Sequence, residues 1–172
     1  VVIGGGMTAV DAAVQSKLLG SQNVSLVYRR GKKDMSASIY EQDLATSKGV
    51  RIIYNATPLE VVKNNSTLNV KFGYTETIDS KLKQTGETFN LAANQVLKAI
   101  GQNLSEEINS LKISNGKIYV DQNGQTNISN IWAGGDCVTT GDDLTVTAVA
   151  QGRDAAIDIN SQLMKQIKKE GQ

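Results

Sequence analysis

The sequence contains no histidine and a single cysteine, Cys137. The first absence removes the side chain that most readily serves as a base or metal ligand near neutral pH, so metal catalysis is not expected. The lone thiol excludes a disulfide within these residues and any two-cysteine redox centre built from them. An excess of one charge is lacking too. Lys and Arg number 18 against 17 Asp and Glu, a formal net charge of +1, which gives no general attraction to nucleic acid or to a membrane surface. No apolar run approaches the roughly 20 residues that span a bilayer, and no charged leader precedes an apolar segment. A soluble, cytoplasmic protein is the expectation. The initiator methionine is missing and the first residues already form an apolar strand, which suggests a piece of a longer chain. Its 172 residues suffice for one large domain, or one and a half small ones, with a real core.

What is present begins at the first residue. Val1-Val2-Ile3 is a bare apolar strand that runs straight into Gly4-Gly5-Gly6-Met7-Thr8-Ala9. Gly4, Gly6 and Ala9 fit the form G-x-G-x-x-A. In that form the first glycine allows a tight turn, the second lets a pyrophosphate approach the backbone, and the third small residue lets helix and strand pack closely. Thr8 to Leu19 reads as a helix whose free N–H groups and positive dipole end would face the phosphates. A strand-turn-helix unit of this kind also occurs as plain core packing, and the next strand adds weight to nucleotide binding. Val24-Ser25-Leu26-Val27-Tyr28 ends at Arg29-Arg30, where a site for NAD carries an acidic residue for the ribose 2′-hydroxyl. A planar guanidinium suits a 2′-phosphate and can stack on adenine, whereas a carboxylate would repel that phosphate. NADPH is therefore favoured over NADH. The competing reading makes Arg29, Arg30, Lys32 and Lys33 a solvated basic loop.

Further along, Ser36 or Ser38 can cap a helix running to about Lys48, with Gly49 as its stop signal. Arg51 to Asn55 reads as a third parallel strand. After Pro58, the runs Leu59 to Val62, Leu68 to Tyr74 and Glu87 to Leu91 read as an antiparallel meander, with a turn expected around Gln84-Thr85-Gly86. Val96 to Ile100 is a short apolar strand ending in Gly101-Gln102. The polar segment Asn103 to Asn115 is expected to be irregular and to hold the domain boundary. The pattern reads as α/β, a Rossmann-like three-layer arrangement with an antiparallel β-meander.

A second glycine turn follows in Ile131-Trp132-Ala133-Gly134-Gly135-Asp136-Cys137. Here a strand again runs into glycines, with a carboxylate in the turn and a helix rich in small residues after it. An aspartate held there can accept hydrogen bonds from a polyol chain, and the N-terminus of the next helix can stabilise negative charge on a reduced ring. That combination suits the ribityl chain and isoalloxazine of a flavin. Asp136 as a simple turn or cap residue is the alternative. Along the helix Asp143 to Lys168, Val146, Val149, Ala150, Ala156, Ile157 and Ile159 stand at near-helical spacing and are expected to make core contacts, with Lys165 to Lys169 as a solvated tail.

Four segments in order, Gly4 to Asp11, Val27 to Arg30, Ala99 to Gln102 and Ala133 to Asp136, resemble signatures of the small (β) subunit of NADPH-dependent glutamate synthase. They are equally similar to the FAD/NADPH part of dihydropyrimidine dehydrogenase, within the pyridine nucleotide-disulfide oxidoreductase superfamily. The resemblance implies an electron-input half in which hydride passes from NADPH to FAD and then, as single electrons, to iron–sulfur clusters. It implies an NADPH-binding domain over residues 1–102 and the closing segment of an FAD domain over 103–172. The rest of the FAD domain, the cluster domain and a catalytic partner that receives electrons would lie outside this chain, which would be inactive by itself. Gly4, Gly5, Gly6, Met7, Thr8 and Ala9 would surround the NADPH pyrophosphate, and Arg29 with Arg30 would hold the 2′-phosphate. Gly101 would lie at the return from the nucleotide domain. Gly135 and Asp136 would meet the flavin's ribityl chain, with Val146 and Thr147 near its pyrimidine side. Met7 departs from the family, which usually has Asn or Asp there, so one hydrogen bond is missing. Cys137 reads as a small core residue. No side-chain acid, base or nucleophile is needed for such chemistry, which the cofactors carry. A disulfide-reductase-type flavoprotein and a nucleotide-binding module without transfer chemistry remain alternatives.

Overall fold

A computed structural model describes residues 1–104 and 110–170 and divides into two compact units, Val1–Gly101 and Gln102–Gln172. In the first unit the order is β1 (Val2–Ile3), α1 (Met7–Leu18), β2 (Val24–Val27), a single 3-10 turn at Lys32–Asp34, α2 (Ile39–Ser47) and β3 (Val50–Ile53). Then come β4 (Ala56–Asn64), β5 (Thr67–Ile78), β6 (Lys81–Ala93) and β7 (Leu97–Lys98). Strands β3-β2-β1-β7 form one parallel sheet, and β4-β5-β6 form an antiparallel one. Val2 pairs with Leu26 and with Leu97, and Ile3 pairs with Val27 and with Lys98.

Two-residue alternation sorts these short strands into layers. Val2, Val24 and Leu26 pack with Val10, Ala13, Ala45 and Val50 on the helical side, whereas Ile3 and Val27 pack with Ala56, Val70 and Phe72 on the side of the antiparallel sheet. The result is helices on one face of a parallel sheet and a meander on the other, each covering what the other leaves bare. Stacked Phe72 and Phe89 rings, 5.3 Å apart, extend the second core across the meander. α2 starts at a capping box. The Glu41 N–H donates to Ser38 Oγ at 3.3 Å while the Ser38 N–H donates to Glu41 Oε2 at 2.7 Å, an arrangement that contributes about 1 kcal/mol. Behind it Gln42 is fully buried, with its amide donating to the Ala37 carbonyl and accepting from the Tyr54 hydroxyl.

The meander is longer than the sequence suggested, and its second turn falls elsewhere. Asp79 and Ser80, both at positive φ, make the turn between β5 and β6. Gln84, Thr85 and Gly86 lie inside β6 instead, beside the register shift between Gly73 and Thr75. A polar Gly-containing triplet signals a turn and a bulge equally well, and here the bulge won.

In the second unit β8 (Ile113–Ser114) and β9 (Lys117–Ile118) make a hairpin through Asn115-Gly116, and a long helix, α3, runs over Thr145–Glu170. The expected irregular stretch overlaps this hairpin, and its part 105–109 lies outside the described residues. A small core of Ile118, Val120 and Val138 is joined by Leu104, Leu111, Ala133 and Cys137. Cys137 is half-buried, and its Sγ lies 3.4 Å from the Gly134 carbonyl oxygen. No strand leads into the second glycine turn; Trp132 makes only an isolated bridge to Gln125.

The core expectation for α3 is met only at Ala150 and Ile159, which are half-buried. Val146 is 73% exposed, Val149 69% and Ile157 59%, and Ala156 is exposed as well. The packed arc consists instead of Ala148, Gln151, Ala155, Asp158 and Gln162, spaced three and four residues apart. Ala148 and Ala155 would contact a Cβ on Gly135 and Gly124. Asp158 Oδ2 accepts from Trp132 Nε1 and from Gln162 Nε2, each at 2.9 Å. Close approach to a glycine-rich loop selects small and amide side chains, so the apolar residues fall on other sides of the helix. Among the described residues no helix is long and apolar enough to cross a membrane.

Candidate functional site

Three of the parallel strands end side by side, and each delivers part of one site. β1 delivers the glycine turn. Gly4, at φ +151°, is buried, and its N–H donates to the Val27 carbonyl at 3.0 Å. A Cβ on it would run into the carbonyl oxygen of Ala99 and come within 2.9 Å of the Ala9 Cβ. Sheet neighbour and helix thus close on the same point from two sides, which is why the first and last small residues of the pattern are small. Gly6 caps α1 without any side chain of its own. The N–H groups of Gly6, Met7 and Thr8 donate to nothing among the described residues, and Met7 and Thr8 are exposed. This is a cradle of orphan donors at the positive end of a helix dipole.

β2 delivers the two arginines on a backbone pinned from both sides. The Arg30 carbonyl accepts the Asn55 N–H at 3.1 Å, and the Arg29 carbonyl accepts the Thr75 hydroxyl at 2.8 Å. Across the loop, the Tyr28 ring packs against Gly5 and its hydroxyl donates to the Asp34 carbonyl at 2.6 Å. The Gly5 carbonyl in turn accepts the Ala37 N–H at 3.1 Å and lies 3.3 Å from Ser36 Oγ. Arg29 is exposed and Arg30 half-buried. Among the described residues neither guanidinium has an ion-pair partner, whereas neighbouring Lys32 stands 3.5 Å from Asp43. Burial pushes the Tyr54 phenol above its usual range, opposed by Lys32 and aided more weakly by Asp43; its hydroxyl donates to Gln42 Oε1 at 3.0 Å. β7 delivers Gly101, which is exposed, at φ +86°, two residues beyond the Ala99 N–H that bonds the Ile3 carbonyl at 2.8 Å. Open parallel sheets bind ligands at such carboxyl edges, where the strand order reverses; here it reverses at β1.

The remaining candidates lie in the second unit. The Gly135 N–H donates to Gln151 Oε1 at 2.6 Å, and the Gly135 carbonyl accepts the Val138 N–H at 3.2 Å. Asp136 is exposed, and its carboxylate has no hydrogen-bond or ion-pair partner among the described residues. At the start of α3 the N–H groups of Thr145, Val146 and Thr147 likewise have no partner among the described residues. A carboxylate acceptor and a helix N-terminus thus stand ready, the donor and acceptor set that a polyol and an electron-rich ring edge require. Among the described residues no group of His, Cys, Asp and Glu could hold a metal ion. Sequence reasoning missed Tyr28 as a prop for Gly5, Thr75 as a brace for Arg29, and Gln151. None carries a local signal, because each acts on a residue distant in sequence.

The pyridine nucleotide-disulphide oxidoreductase family model matches residues 1–152. The chain belongs to that family. Within it, the chain is 32% identical over 175 residues to the small chain of NADPH glutamate synthase from Azospirillum brasilense, covering 94% of this chain and 36% of that protein. It is also 32% identical over 162 residues to the PreT subunit of NAD-dependent dihydropyrimidine dehydrogenase from Escherichia coli, with the same two coverages. Among solved structures, thioredoxin reductase from Lactococcus lactis superimposes with a TM-score of 0.76 at 27% identity, over 95% of this chain and 52% of that one. The fold is thus the α/β arrangement of this family, and the chain spans about a third of the length of the curated relatives it matches.

Proposed function

We propose that the chain is the pyridine-nucleotide half, plus the flavin-completing segment, of an electron-input flavoprotein of the glutamate synthase small-subunit type. In this reading Val1–Gly101 binds NADPH and Gln102–Gln172 completes an FAD site whose remainder lies outside these residues. The observation that carries it is the pair of arginines that, among the described residues, have no ion-pair partner beside the orphan N–H cradle. The Gly6, Met7 and Thr8 amides would hold the pyrophosphate, and Arg29 and Arg30 the 2′-phosphate, each by charge-assisted hydrogen bonds. Gly101 would border the nucleotide at the neighbouring strand end. Asp136 would accept from the ribityl hydroxyls, while the free amides of Val146 and Thr147 would stabilise negative charge at the pyrimidine edge.

NADPH, when bound, would supply a hydride for the flavin, with onward transfer to iron–sulfur clusters and a catalytic partner outside this chain. The residues present orient and polarise; none needs to take or give a proton. Replacing Arg29 and Arg30 by Leu tests the reading in titrations with both nucleotides. The NADPH dissociation constant should rise on the order of a hundredfold and that of NADH no more than about threefold; equal losses would defeat it. The likeness to thioredoxin reductase favours a disulfide-reductase-type flavoprotein as second reading. That chemistry would need two cysteines, and these residues contain one, so iron and labile sulfide in the full-length protein separate the two.

A further inference from the structure

Beyond the Trp132–Asp158 bond, the second glycine turn is fastened to α3 by one side chain, Gln151. Besides accepting the Gly135 N–H, the Gln151 amide donates through Nε2 to the Thr140 carbonyl at 2.8 Å, with Thr140 Oγ1 at 3.3 Å. Acceptor and donor of one planar amide therefore clamp both ends of the segment between Gly135 and Thr140. The fit is close on either side. A Cβ on Gly134 would stand 3.1 Å from the Gln151 Cβ, and one on Gly141 would stand 2.9 Å from Gln151 Nε2. The Gly135 N–H is held by Gln151 and the Gly135 carbonyl by Val138. Both peptide planes adjoining Gly135 are thus fixed, and Asp136 leaves the turn in one direction with its carboxylate uncommitted.

We propose that Gln151 is a positioning residue that aims Asp136 at the ribityl chain of the flavin. This rests on the flavin reading above. Leucine at this position keeps the volume and loses both bonds. Glutamate keeps the acceptor for Gly135 but, as a carboxylate, sets an oxygen against the Thr140 carbonyl in place of the donor. Both changes should therefore release the clamp, whereas a residue that merely packs would tolerate leucine.

The test is the FAD dissociation constant of the full-length protein and of its Gln151→Glu and Gln151→Leu variants, followed by flavin fluorescence. Far-UV circular dichroism and NADPH titration accompany each to report folding. Both variants should weaken FAD binding, Gln151→Leu by about tenfold or more, with helix content and NADPH affinity unchanged. FAD binding by Gln151→Leu as tight as in the parent would overturn the proposal. So would equal losses in both variants together with lost helix content, which mark a structural role alone. If the parent itself binds no FAD while still binding NADPH, the flavin reading fails and this inference falls with it.

Discussion

The two glycine turns are built from similar residues and held by different means. Gly4 to Gly6 inherits its geometry from the parallel sheet: its first N–H belongs to the strand ladder, Ala99 closes one side and Ala9 the other. Gly134 to Asp136 has no strand leading into it and relies on side chains reaching across from α3. A turn inside a sheet is fixed redundantly by backbone, whereas a turn outside one depends on a few amide and indole contacts. Damage to the first should therefore be structural, and damage to the second local.

The largest effect should come from Gly4→Val. Its Cβ has no room between Ala99 and Ala9, and φ +151° is strained for a branched residue. A loss of about 4 kcal/mol is expected, enough to unfold a marginal domain, with thermal unfolding as the readout. A variant that melts with the parent would break the comparison at its strongest point. Next comes Trp132→Phe, which removes the donor to Asp158 and leaves a half-buried carboxylate with Gln162 alone. About 2 kcal/mol should be lost in chemical denaturation, with NADPH affinity untouched; a comparable fall in NADPH affinity would show that the damage is not local. The smallest effect is expected for Thr75→Val. It removes one of several supports of the arginine loop and should cost about 1 kcal/mol and no more than about fivefold in NADPH affinity. A loss as large as that from removing both guanidinium groups would show that the loop lacks the redundancy inferred here.

The same contrast governs what was legible in the sequence. Gly4, Gly6, Ala9 and the Ser38 cap could be read because their partners lie within a few residues or in the adjoining strand. Arg29 and Arg30 could be read because a strand end places them at a known edge. The turn at Asp79-Ser80 was hidden because neither residue is Gly, and Gly86 offered the stronger signal nearby. On α3, apolar spacing drew attention to Val146, Val149 and Ile157, while the face that packs is marked by Ala148, Gln151, Ala155 and Asp158. Its small and amide residues answer to the loop they meet, and no pattern within the helix announces that loop.

A cradle of backbone amides beside two guanidinium groups that have no ion-pair partner among the described residues should select a phosphorylated adenosine. Isothermal titration of the folded, full-length protein with NADPH and with NADH measures it most directly. NADPH should bind tighter than NADH on the order of a hundredfold. Equal affinities, or a preference for NADH, would contradict it.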